Sequence, residues 1–186
     1  MTRALFRSLS CTGATASLAL AGFMPMSLAG AASALLTPSA VIADRDAPGV
    51  ESAPQVLAAR RYATFWNTGD PDLARAALAP KFIDRTLPAG RPQGVEGALL
   101  ASRVVREALP DLACSIEQMI VAGDRVVVHL RFHGHFTGTF RKTKGHGETI
   151  DFIATDIYHV VDGRIAENWH IEDNLTLLQQ LGLISN

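Results

Sequence analysis

The apolar positions of this chain recur at helical spacing in its first half and at strand spacing in its second. Between Ala53 and Thr68, Val56, Leu57, Ala59, Ala63 and Trp66 predict a helix, and Gly69 stands where a terminator belongs. Asp70-Pro71 starts a second short helix carrying Leu73, Ala76, Ala77 and Leu78. Lys81 to Thr86 reads as a short strand, followed by a Pro/Gly-rich loop from Leu87 to Gly94 that can rim a pocket. Val95 to Leu109 forms a third helix with Val95, Leu99, Val104 and Ala108 on one stripe, stopped by Pro110. Strands follow at Leu112 to Val121, Arg125 to Thr137, Thr149 to Val161 and Arg164 to Glu172, before a last short helix, Leu175 to Leu181. Helices first and long meandering strands second predict an α+β fold, an antiparallel sheet covered by helices with a cavity between them.

The hairpin around Asp162-Gly163 collects most of the candidate acid/base residues: Asp156 and His159 on one arm, Asn168, His170, Glu172 and Asp173 on the other. A two-residue turn pairs Val161 with Arg164, sets Asp156 opposite Trp169 and sends His170 to the other face. A four-residue loop, with Gly163 left-handed, sets Asp156 opposite His170, at roughly 4.5–5.5 Å between Cβ atoms. The pattern leaves both registers open, and a slip of one residue separates the pair.

Composition adds an address and removes several classes of partner. Residues 1–34 have a basic start at Arg3 and Arg7, an apolar middle and an A-x-A site at Ala32-Ser33-Ala34, the signature of a cleaved secretory signal peptide. Gly13, Gly22, Pro25 and Gly30 interrupt that run, which argues against a membrane anchor. Residues 35–52 read as a flexible spacer and residues 53–186 as one domain, for a periplasmic or secreted protein beginning near Leu35. The leader holds two of the 17 basic residues and none of the 18 acidic ones, so the remainder carries a formal charge of −3 and offers nucleic acid no electrostatic reason to bind. Of the two cysteines only Cys114 lies beyond the leader, so an internal disulfide is not expected. No Cys or His cluster shows zinc-ligand spacing, and no metal is expected; His129, Arg131, His133 and His135 alternate as a polar strand face.

From about Gln55 to Gly182 the chain resembles the SnoaL-like polyketide cyclases, or ester cyclases, of the nuclear-transport-factor-like superfamily. The resemblance rests on Phe65-Trp66-Asn67-Thr68-Gly69, Gly94-x-Glu96, Gly134-x-x-x-Gly138, Asp162-Gly163-Arg164-Ile165, Trp169, Asp173 and Gln180-Leu181-Gly182. It implies a cone-shaped curved sheet packed on three helices, and ring closure by aldol chemistry without metal or cofactor. The family's catalytic aspartate and facing histidine fall on His170 and Asp156, so the two residue types are exchanged here. A family histidine falls on Phe136, with His135 beside it. The resemblance also implies that Trp66 lines the substrate cavity, that Asp84 lies near its mouth, and that Ala101 takes a third-helix position that is polar in some cyclases.

The expectation is therefore an exported cyclase or isomerase acting on an apolar carbonyl-containing small molecule, with a secreted binding module of the same fold as the alternative. His170 is expected as acid or base, Asp156 as its orienting carboxylate, with Trp66 and Phe136 shaping the cavity. Both should face one cavity, through a hairpin loop longer than two residues. The carboxylate should raise the imidazole pKa and burial lower it, with no net direction expected. Ile157, Val161, Trp169 and Ile171 fall on the opposite face and predict a homodimer.

Overall fold

Backbone chemistry at Gly69 and Asp70 turns the chain from its first helix into its second. In the computed structural model, which describes residues 33–43 and 49–185, helix α1 spans Pro54–Thr68 and ends on Gly69 at φ 77°, whose N–H donates to Phe65 O. Asp70 then caps helix α2, Pro71–Ala77, by accepting the Asp72 N–H. The leader expected over residues 1–34 lies outside the described residues except at its last two positions.

Strand β1 is Val41–Ala43, β2 is Leu78–Asp84, and helix α3 is Val95–Ala108. The long strands are β3, Ala113–Ala122, β4, Arg125–Phe136, then β7, Glu148–Val161, and β8, Arg164–Glu172. A small ribbon of β5, Thr139–Phe140, and β6, Thr143–Lys144, lies between β4 and β7, and helix α4, Asn174–Gln180, closes the domain. The main sheet runs β1-β3-β4-β7-β8-β2. Its four central strands are antiparallel, whereas both edge strands pair parallel, β1 with β3 and β2 with β8. The sheet is therefore mixed rather than antiparallel throughout, and each edge strand is separated from its parallel partner by a long crossover that includes α3, as parallel pairing requires.

Two further expectations are corrected. Within the stretch read as a flexible spacer, residues 41–43 form an edge strand, and Arg60 and Thr64 of α1 bond the Leu35 and Leu36 backbone. Strand β2 starts at Leu78, before Pro80, which an edge strand tolerates because its outer N–H positions need no partner.

The core fills the space between α1 and the concave sheet face. Val56, Ala59, Ala63 and Phe65 share one buried cluster with Ile116, Met119, Val128, Leu130, Ile150 and Tyr158, all 1% exposed or less. Alternation along β7 is strict: Ile150, Phe152, Ala154, Asp156, Tyr158 and Val160 are buried and their neighbours are not. An aspartate thus takes a core position on this strand.

Candidate active site

The hairpin has the short turn and still brings Asp156 and His170 together. Val161 pairs with Arg164 across Asp162-Gly163, whose φ values of 51° and 71° fit a two-residue type I′ turn. The register changes between His159 opposite Glu167 and Val160 opposite Ile165, which leaves Ala166 as an extra residue. That β-bulge sets Asp156 opposite His170. The expectation of a longer loop was wrong; the one-residue shift comes from within the strand.

Past the bulge, Asn168, His170 and Glu172 all point inward. Asn168 Nδ2 donates to Asp156 Oδ1 at 2.7 Å, and His170 Nδ1 lies 2.8 Å from the same oxygen. His170 Nε2 lies 2.8 Å from Glu172 Oε1, so the ring stands between two carboxylates. Burial opposes charging the ring, but the Asp156 charge and hydrogen bonds to both carboxylates push its pKa up to about 10. Glu172 goes the other way: burial resists its ionisation, yet the hydrogen bond from His170 leaves it below the ordinary carboxylate range. With a carboxylate oxygen 2.8 Å from each ring nitrogen, this geometry favours an imidazolium that donates on both sides. Asp156 is 2% exposed, with both of these bonds on Oδ1; the buried Tyr158 hydroxyl beside it has its pKa raised by burial and then by the Asp156 charge.

Two adjoining hollows of about 20 Å³ each meet at these groups. Trp66, Asp156, His170 and Glu172 line both; Tyr62, Asp84 and Arg91 line the first and Phe132 and Phe152 the second. Burial, then the Asp156 charge, drive the Tyr62 phenol pKa well above its usual value, so Tyr62 is a neutral hydroxyl. Trp66 is fixed from behind: Arg106 Nη2 donates to its carbonyl at 2.6 Å, and Asn67 Oδ1 accepts the Cys114 N–H at 2.9 Å. Asp84 sits at the end of β2, where its Oδ1 accepts from Thr86 and the Thr86 hydroxyl oxygen in turn accepts the His170 N–H. Cys114 has a thiol pKa raised chiefly by burial, which keeps it protonated.

The other expected site residues lie elsewhere. His135 is on the outer sheet face, its ring half exposed and bonded to Asp111 at 2.7 Å. Odd-numbered β4 residues point outward, so His135 cannot replace the inward side chain at Phe136. Phe136 is core, beyond the cavity wall, and Phe132, two inward positions earlier on the same face, lines the hollow. Ala101 is buried in α3 but lines neither hollow. Glu172 and Asn168 were visible on the hairpin, but their role depended on the bulge. Tyr62 was hidden on the helix stripe between Ala59 and Ala63, and Arg91 in the irregular loop. Among the described residues there is no cluster that could hold a metal ion, and no helix long and apolar enough to cross a membrane.

Residues 56–181 match the family model for SnoaL-like polyketide cyclases. A candidate polyketide cyclase from Bacillus cereus is 42% identical, with 81% of this chain and 95% of that one aligned at a TM-score of 0.73. IdmH, a candidate polyketide cyclase from Streptomyces antibioticus, is 26% identical over 67% of this chain and 96% of its own, with a TM-score of 0.61. A Catenulispora acidiphila protein with a ketosteroid isomerase-like fold is 17% identical over 68% of this chain and 93% of its own; at a TM-score of 0.54 it shares the fold. No curated protein matches the chain. With a family match over most of its length and that Bacillus likeness, the chain belongs to the SnoaL-like polyketide cyclase family.

Proposed function

We propose that this chain is an exported enzyme that takes a proton from a carbon beside a carbonyl of an apolar small molecule, using its own side chains. The observation that carries the reading is Asp156: a buried carboxylate that takes the Asn168 and His170 bonds on one oxygen and lines an aromatic-walled cavity. Asp156 takes the base role that the sequence reading gave to His170, because both His170 ring nitrogens donate to carboxylates. His170 is then the positioning group, and Asn168 holds the same oxygen from the next inward position.

The C–H bond electrons form the enolate double bond, the carbonyl π pair moves to oxygen, and Asp156 becomes the neutral acid. Return of the proton at another carbon completes an isomerisation; attack of the enolate carbon on a second carbonyl closes a ring, and the alkoxide that forms takes the proton back from Asp156. The resting hollows are each the size of about one water, so entry of the substrate displaces the loop over residues 85–94 or the Trp66 ring. Deuterium uptake at the α-carbon of aryl ketones, in wild type against Asp156→Asn, tests the reading; equal uptake in both refutes it.

Export and dimerisation complete the proposal. The exported chain should begin near Leu35, which the mass of the mature protein checks; recovery of an intact Met1 in the soluble cytoplasmic fraction refutes it. Ile157, Val161, Trp169 and Ile171 are exposed on the outer sheet face, at 43%, 45%, 36% and 74%. Four large apolar side chains on one face support a second copy as their cover. Sedimentation at micromolar concentration should show a dimer, with Ile157→Asp plus Ile171→Asp giving monomer; a wild-type monomer refutes it.

A further inference from the structure

Proton removal moves negative charge from Asp156 to the substrate oxygen, and neither His170 nor Asn168 is free to meet it. His170 is engaged at both nitrogens, and Asn168 Nδ2 is spent on Asp156. Arg91 remains. It lines the same hollow as Asp156 and Tyr62, is half-buried, and has no side-chain hydrogen bond or ion pair among the described residues. Arg85, in the same loop, is instead held by Glu167.

The position of Arg91 is built. Its N–H donates to Pro88 O at 3.1 Å, closing a turn. The next residue, Pro92, crosses α3 at Gly97, where a Cβ would stand 2.0 Å from Pro92 O and 3.6 Å from Arg91 Cγ. Only glycine lets the loop lie this close, and the Arg91 stem rests on that contact. Gln93 pins the far side, its Oε1 accepting the Asp84 N–H and its Nε2 donating to Asp84 O.

We infer that Arg91 is a further catalytic residue, the cation that takes the substrate's carbonyl oxygen and stabilises it as the enolate forms. The charges favour this over a site for a substrate that is already anionic. Asp84, Asp156 and Glu172 face the hollow with only the His170 imidazolium and Arg91 against them, so a permanent anion would add to a net charge that is already negative. An enolate formed by proton transfer adds none, because Asp156 is neutralised in the same step. The inference rests on the proton-abstraction reading, and the test separates the two.

Asp156→Asn reproduces the neutral state of the base after transfer, and 4-nitrophenolate stands for a planar anion with charge on one oxygen. In Asp156→Asn, 4-nitrophenolate should bind at least about tenfold tighter than neutral 4-nitroanisole, as a charge-assisted hydrogen bond would give. Adding Arg91→Gln should abolish that preference by lowering the phenolate affinity much more than the anisole affinity. Arg91→Lys should keep part of it. With Asp156 intact, Arg91→Gln should lower α-proton exchange by about 10²-fold, the scale of losing one oxyanion donor. Equal affinities for the two probes, or a preference that survives Arg91→Gln, overturns the assignment. A preference that depends on Arg91 in a protein whose wild type exchanges no α-proton keeps the anion site and removes the reaction.

Discussion

Asp156→Asn should lower α-proton exchange and turnover of an accepted ketone by about 10²–10⁴-fold while leaving the thermal transition close to that of wild type. The size follows from the chemistry: an amide accepts no proton at any accessible pH, so the loss is that of a general base. The intact fold follows from the neighbours. Asparagine is nearly isosteric, and its Oδ1 still accepts from Asn168 and His170. Removing the charge also relieves the burial of a carboxylate that is 2% exposed. His170 then loses one of its two carboxylates and keeps Glu172, so its pKa falls from about 10. Wild-type exchange in Asp156→Asn, measured by deuterium uptake, overturns the base assignment whatever happens to stability.

How much of this site the sequence carried depends on which interaction decided each position. Periodicity located every long element within a few residues, because burial of one face fixes helices and strands alike: the strict alternation from Ile150 to Val160 is already in the residue types. The edge strands were less visible. Val41–Ala43 is three residues long and takes its order from β3, and Pro80 hid the start of β2. The approach of Asp156 to His170 rested on one residue, Ala166. A bulge is a property of the pair of strands, since the inward demands of Ile165 on one side and of Asn168, His170 and Glu172 on the other cannot both be met by an unbroken strand. That conflict is legible in retrospect, because residues 165 and 168 differ by an odd number and are both buried. His135 and Phe136 show the converse: sequence adjacency on a strand means opposite faces, so nearness to a motif position gave the wrong residue.

His170→Ala should destabilise the domain by about 3 kcal/mol, the low end for breaking a buried pair because the ring is a quarter exposed. The cost arises from what remains. Asp156 and Glu172, 2% and 32% exposed at the side chain, would face one hollow without the imidazolium between them. Replacing Glu172 by Gln in the same protein should recover part of the loss, since one carboxylate of the two is then neutral; no recovery would mean that the ring acts by packing alone. The pH dependence distinguishes charge from volume. His170 has a folded-state pKa of about 10 against 6.5 for the free side chain, so its stabilising charge is fully present below about pH 6.5 and is lost as pH rises through about 10. Across that window wild-type stability should fall as pH rises, by a total no larger than the roughly 3 kcal/mol lost in His170→Ala. His170→Gln, which keeps a donor and cannot titrate, should lack that alkaline decline. Glu172 contributes on the acid side in the opposite sense: its folded pKa is depressed, so its share is present above about pH 4.5 and is lost as pH falls through the lower folded value. Urea denaturation of wild type and His170→Gln from pH 6 to 10 measures the difference directly, and parallel curves would show that His170 is neutral in the folded protein.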